Sequence, residues 1–359
     1  MEKLIDTKLV SFYITQECNL SCAHCFRTNR GYFSGEELSA GEFCGVIDEL
    51  TDIDIIRLLG GEPLLELEKV IKITRYAVSL NKKVVVLTNT LLLDEEKLGL
   101  LKEAGVYTIQ VSCEGIGRVQ DRIRGRGYFE SLLWKVKKIR EYGINCTMVI
   151  TLTPENIFQI GDMYTIAQNL GIRKVVFSIT LPVNGRYGLY LSFEQFDEGI
   201  EKLANILKNQ KEERFSEIEF SPLVVNYLFA CKNPWLWENY YGVLQMAFQR
   251  LKKCVEKGKF CLFPNGDVYP CPFFPYLNHP LPPVGNVKRQ SVSLIRRRIN
   301  DIYNQINVDD PECKKCEFFE LCHGGCRAKA YMHTGSLNGV DRECPIRNQE
   351  RVKKEVKYA

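Results

Sequence analysis

Cys18, Cys22 and Cys25 stand in the run Cys18-Asn19-Leu20-Ser21-Cys22-Ala23-His24-Cys25, a CxxxCxxC spacing that puts three thiolates on one tight loop. A four-iron cubane takes four ligands, so three thiolates leave one iron with open positions. Such an iron can bind a small molecule and pass it an electron. A zinc loop would use the same residue type. With 15 cysteines in 359 residues, chance alone gives this spacing in roughly a few per cent of chains, so the motif needs context. A second set lies far downstream. Cys313, Cys316, Cys322 and Cys326 read CxxCxxxxxCxxxC, Cys344 follows, and Cys254, Cys261 and Cys271 precede them. Eight thiolates suit two further cubanes with four ligands each, or two structural zinc sites.

The elements that must position these residues change character along the chain. From Lys8 to about Asn209, short β-branched runs alternate with amphipathic stretches. Strands are expected over Leu9–Thr15, Ile53–Leu59, Val84–Thr88, Tyr107–Cys113, Asn145–Leu152 and Lys174–Ile179. Helices are expected at about 39–50, 67–80, 94–104, 128–142, 158–170 and 192–209. Ser39 with Glu42 has the form of a capping box, and Asp94 and Ser192 suit N-caps. Six β-then-α units predict parallel strands joined by right-handed crossovers, two short of the eight that close a barrel. The expected fold is α/β, a partial (β/α)6 barrel over residues 1–230, with a flat doubly wound sheet as the competing architecture. After about residue 225, prolines and cysteines replace the alternation. A cysteine-rich domain held by metal clusters rather than a large core is expected over 231–359, with the aromatic run Pro234–Tyr241 packing at the junction.

Composition narrows the function classes. A net charge of +4 is too mild to argue for nucleic acid, and Arg296-Arg297-Arg298 reads as a solvated helix face. The N-terminus lacks a signal pattern, and no run approaches the roughly 18 apolar residues of a membrane helix. The chain is therefore expected to be cytoplasmic, where thiols stay reduced and cysteines serve metal rather than disulfides.

Three further motifs end successive predicted strands: Gly60-Gly61-Glu62-Pro63, Thr88-Asn89-Thr90, and Ser112-Cys113-Glu114-Gly115. With the cysteine loop they share the C-terminal rim, where such folds build active sites. Glycines at 60 and 61 let the backbone approach a ligand closely, and Glu62 can accept from an ammonium group. In this order the residues resemble the radical S-adenosylmethionine (SAM) superfamily, over residues 8 to about 210. The resemblance implies that Cys18, Cys22 and Cys25 hold a 4Fe–4S cluster whose open iron chelates the amino and carboxylate groups of SAM. It also implies SAM contacts by His24, Gly60, Gly61, Glu62, Asn89, Ser112, Glu114 and Arg124. Glu114 stands where Asp is commoner in the family, and Thr90 replaces the glycine of Thr-Asn-Gly.

The downstream cysteines, with the turn Phe263–Cys271, resemble the SPASM extension of peptide-modifying radical SAM enzymes. That resemblance implies one auxiliary cluster on Cys254, Cys261, Cys271 and Cys326 and another on Cys313, Cys316, Cys322 and Cys344, three 4Fe–4S clusters in all. Cys44, Cys113, Cys146 and Cys231 remain as buried apolar thiols. The implied chemistry is anaerobic: reductive cleavage of SAM, then hydrogen abstraction by a 5′-deoxyadenosyl radical, with the auxiliary clusters accepting an electron. The implied substrate is a residue of a ribosomal peptide or protein, and the implied electron donor is a flavodoxin or ferredoxin. Pro272 stands where sulfatase-maturing relatives carry an Asp base, which disfavours formylglycine chemistry. Only 17 residues precede Cys18, so a peptide substrate is expected to need a separate recognition protein or none. The sequence singles out no catalytic acid or base. The alternatives are a haem-pathway enzyme decarboxylating tetrapyrrole propionates, and a non-catalytic Fe–S or zinc scaffold.

Overall fold

A computed structural model describes residues 8–27, 35–181, 183, 190–209, 217–231 and 259–347. Strand β1 (Leu9–Tyr13) buries Val10 and Phe12 completely, and Phe12 packs on Phe43 of helix α1 (Ala40–Asp48) with ring centroids 5.4 Å apart. Parallel strands β2 (Ile55–Leu59), β3 (Lys83–Thr88), β4 (Thr108–Ser112), β5 (Asn145–Leu152), β6 (Lys174–Ile179) and β7 (Glu217–Phe220) each pair with the strand before. Helices α2 (Leu67–Ser79), α3 (Glu95–Ala104), α4 (Arg118–Arg124), α5 (Tyr128–Glu141), α6 (Ile160–Asn169) and α7 (Phe193–Lys208) form the crossovers. From β1 to β7 the order never reverses. A doubly wound sheet would reverse at a switch point, so this is the wall of an open barrel.

Local signals placed these elements. Ser39–Glu42 and Ser192–Gln195 close reciprocal capping boxes, and Asp94 accepts from the Lys97 N–H. Helix α7 buries Phe196, Ile200, Leu203, Ala204 and Leu207, one stripe at helical spacing. Strand β7 lies outside the six expected units. Its sequence, Glu-Ile-Glu-Phe, conceals it because its charges are cross-strand partners: Lys174 Nζ lies 3.1 Å from Glu217 and 2.6 Å from Glu219.

The cysteine-rich region continues the same sheet. Strand β8 (Cys261–Leu262) pairs parallel with β1, and β9 (Asp267–Tyr269) and β10 (Gly285–Asn286) extend it antiparallel. Then come α8 (Val225–Ala230), which precedes β8 in the chain, and after β10 the helices α9 (Val292–Asn304), α10 (Pro311–Lys314), α11 (Phe319–Cys322) and α12 (Arg327–Thr334). One buried apolar cluster runs from Val10 through Leu262 and Ile299 to Ala328, so the two regions share a core. Cys254 and the aromatic run Pro234–Tyr241 lie outside the described residues.

Two expectations need correction. Arg297 and Arg298 are exposed as expected, but Arg296 is paired: Nη1 and Nη2 each reach a carboxylate oxygen of Asp52 at 2.7 Å, tying α9 to the turn before β2. Cys113, Cys146 and Cys231 are buried as expected, but Cys44 is partly exposed. Among the described residues all cysteines are free, and no helix is long and apolar enough to cross a membrane.

Candidate active site

Beyond the end of β1, the backbone continues its pairing with β2 as a seam. The Gly61 N–H donates to Thr15 O at 2.9 Å and the Glu62 N–H to Glu17 O at 2.8 Å. A Cβ on Gly60 would meet Thr15 O at 2.6 Å, and one on Gly61 would meet Glu17 O at 1.8 Å. The close approach these glycines permit is thus to the chain's own segment 15–17, which delivers Cys18. The Glu37 carboxylate fixes the same segment, accepting from the Gln16 N–H at 2.8 Å and the Thr15 hydroxyl at 3.0 Å. The Cys25 N–H donates to Cys22 O at 3.1 Å, closing the turn that carries the last two thiols. Burial pushes the Cys22 thiol up to about 11, Arg124 pulls against it, and Cys25 and Cys18 add to the rise. The three thiols share one loop, and a metal binding there must displace protons.

Glu62 is fully buried. Its carboxylate accepts from Thr88 Oγ1 (2.7 Å), the Asn89 N–H (2.8 Å) and the Leu64 N–H (3.1 Å). Burial pushes its carboxyl up and these bonds pull against it. Oε2 takes one of the three bonds and so keeps acceptor capacity. Asn89 Nδ2 donates to Asn19 Oδ1 at 2.7 Å, within the cysteine loop, and lies 3.9 Å from Cys18 Sγ. Thr90 has φ of 67°, a strained conformation for a β-branched residue. Lys135 holds it there, donating to Thr90 O at 2.5 Å and Leu91 O at 2.8 Å.

Glu114 and Arg124 form a buried pair. Arg124 Nη2 donates to Glu114 Oε1 at 2.7 Å, and Nε engages the second oxygen. His24 Nε2 lies 3.5 Å from Glu114 Oε1. Burial would raise the Glu114 carboxyl, but Arg124 first and His24 next outweigh it and hold it below the usual carboxylate range. Gln120 Oε1 accepts from the Glu114 N–H at 2.5 Å, and Asn156 Nδ2 donates to Glu114 O at 2.8 Å. Arg124 also lies over the Tyr128 ring at 5.5 Å, and the Tyr128 hydroxyl donates to Asn89 O. The structure thus brings His24, Asn89, Glu114 and Arg124 together beside the cysteine loop, with Glu62 bonded to Asn89. Arg124 is engaged with Glu114 rather than exposed. Ser112 ends β4 on the same rim.

Tyr128, Gln120, Asn156 and Lys135 complete this network and were not singled out from sequence. Lys135 had a signal, since it falls on the buried face of α5 with Leu132, Val136 and Ile139.

In the C-terminal region, one cavity is lined by Cys313, Cys316, Cys322 and Cys344 together with Asp341 and Arg347. Burial is the main cause raising the Cys322 thiol, followed by Cys344 and Cys313. A thiol-lined cavity suits soft, thiolate-bound metal. Cys261 opens β8 and is buried, and Cys271 follows the end of β9. Tyr13 stacks on Phe263 at 4.5 Å. Cys326 immediately precedes α12, without a side-chain capping bond. No group of three or more His, Cys, Asp or Glu side chains among the described residues converges as a single-ion site.

The radical SAM superfamily profile matches residues 12–167, and the SPASM iron–sulfur cluster-binding domain profile matches 254–317. The AdoMet-dependent heme synthase of Methanosarcina barkeri is 28% identical over 95% of this chain and 97% of its own length. The PqqA peptide cyclase of Bradyrhizobium diazoefficiens is 25% identical over 93% of this chain and 84% of its own. In fold, the chain is similar to Streptococcus suis SuiB bound to S-adenosylmethionine, with a TM-score of 0.73 at 17% identity over 94% of this chain and 77% of that one.

Proposed function

Because the chain belongs to the radical SAM superfamily and carries a SPASM iron–sulfur domain, we propose that this enzyme modifies a residue of a ribosomal peptide or protein. Cys18, Cys22 and Cys25 hold the SAM-binding 4Fe–4S cluster. Cys313, Cys316, Cys322 and Cys344 hold one auxiliary cluster, and Cys254, Cys261, Cys271 and Cys326 the other. Bound there, a cluster and SAM would supply one-electron reductive chemistry and a hydrogen-abstracting radical. The chain's own residues supply placement. Gly60 and Gly61 fix the cysteine loop, His24 offers its backbone to adenine, and Glu62 Oε2 offers an acceptor to an ammonium group. Asn89, Ser112, Glu114 and Arg124 line the SAM side of the rim, Arg124 through the donors left free by Glu114. The radical SAM unit spans 1–230 and the SPASM unit 231–359, with β8 on β1 joining them. A flavodoxin or ferredoxin delivers the electron.

The observation that carries this reading is the four-thiol cavity, whose Phe318, Cys322 and Ile346 pack against the core shared with the barrel, and which supports auxiliary redox centres behind a SAM site. The relative at 28% identity over 97% of its length is a heme synthase, which supports a second reading, decarboxylation of tetrapyrrole propionates. One anaerobic experiment tests both. The reconstituted protein should bind about 12 irons, three cubanes of four, and release 5′-deoxyadenosine with dithionite and SAM. Deuterium should appear in that product from labelled, cysteine-bearing precursor peptides and not from a propionate-labelled iron porphyrin. The reverse pattern would establish the second reading, and no cleavage of SAM would leave a scaffold.

A further inference from the structure

Arg347 faces the four-thiol cavity and aims a hydrogen bond at one of its sulfurs. Its Nη1 lies 3.4 Å from Cys313 Sγ and 2.7 Å from Asp310 Oδ1, and Nη2 lies 3.1 Å from Glu312 Oε2. The same Asp310 oxygen accepts the backbone N–H groups of Glu312 (3.1 Å) and Cys313 (2.9 Å), capping α10. One carboxylate therefore fixes both the peptide that carries the thiol and the cation pointed at it. A guanidinium keeps its charge under all working conditions and presents its donors in a rigid fork. Among the described residues lining the cavity, Arg347 is the cation, opposed by Glu312 and Asp341. A structural arginine at this place would be satisfied by its two carboxylates; the third contact, to sulfur, serves the metal site.

Hydrogen bonds and positive charge at ligand sulfurs stabilise the reduced, more negative form of an iron–sulfur cluster and raise its potential. We infer that Arg347 is the positioning residue that orients Cys313 and raises the reduction potential of the cluster held by Cys313, Cys316, Cys322 and Cys344. This rests on the reading of those four cysteines as one ligand set.

The test is a redox titration of the full-length, reconstituted protein, followed by electron paramagnetic resonance, for the parent, R347Q and R347K. Iron is counted in each. In R347Q, one auxiliary signal should shift to a lower midpoint by at least tenfold in its reduction equilibrium, about 59 mV for a one-electron couple, at unchanged iron. R347K, whose ammonium keeps the charge but cannot hold all three partners, should shift less. Unshifted midpoints in R347Q at full iron overturn the inference. Should R347Q load less iron than the parent, the titration is read on R347K, and an unshifted midpoint there, or iron loss in both variants, overturns it equally. A parent binding about eight irons would instead remove the ligand assignment itself.

Discussion

Two thiol sets in this molecule are placed by different physics. At the barrel rim, Cys18, Cys22 and Cys25 leave a backbone seam in which Gly60 and Gly61 lie against segment 15–17 with no room for a side chain. In the C-terminal region, whose helices α10 and α11 are four residues each, cations organise the loops. Arg327 donates to the carbonyls of His323 (3.0 Å), Gly325 (2.9 Å), Leu337 (2.9 Å) and Gly339 (2.9 Å). Lys329, fully buried, lies 3.2 Å from Glu343 and 3.8 Å from Asp341, and 5.1 Å from the centre of the Tyr227 ring. The Tyr190 and Tyr227 hydroxyls, 2.6 Å apart, join that group to the barrel. The rim inherits its order from a deep core. The C-terminal region has short helices around its thiols and holds its loops with paired charge.

If that contrast is right, removing a cation should damage the C-terminal region more than any single change damages the rim. Lys329→Met removes the buried amine between Asp341 and the half-buried Glu343, leaving them His333, and should cost about 3 kcal/mol, read by anaerobic denaturant titration. Adding Glu343→Gln should recover part of that loss, because the two sites are coupled; additive losses would break the comparison. Gly61→Ala forces a Cβ against Glu17 O and should cost about 1–3 kcal/mol by overpacking, with SAM cleavage falling while C-terminal iron stays in place. Equal loss of iron from both regions would show that the seam is not local to the rim. Thr90→Gly relieves a positive φ at a β-branched residue and should raise stability by roughly 1 kcal/mol, measured as a higher denaturation midpoint. A lower midpoint would mean that Lys135 and the Thr90 side chain contribute more than the strain removes.

Much of the barrel was legible because its signals are local. The capping boxes at Ser39 and Ser192, the apolar stripe of α7 and the β-branched strands each lie within one window of chain. The rim motifs were legible for a related reason: consecutive strand ends of a singly wound sheet fall on one edge. The purpose of Gly60 and Gly61 was only half legible, since close backbone approach follows from the residue type but its partner does not. Strand β7 was hidden because its two glutamates find Lys174 across the ladder, a pairing that composition cannot show.

Spacing along the chain put Cys18, Cys22 and Cys25 on one loop and marked most of the barrel's strands and helices, because periodicity and ligand count are properties of short stretches. Only the folded chain decided that β8 joins β1, that Glu114 is taken by Arg124 and His24, and that Arg347 turns toward Cys313 Sγ. Those partners lie 10 to 250 positions apart by roughly counted separation, and a charged side chain selects its counterpart by three-dimensional proximity in low dielectric, which no local pattern encodes.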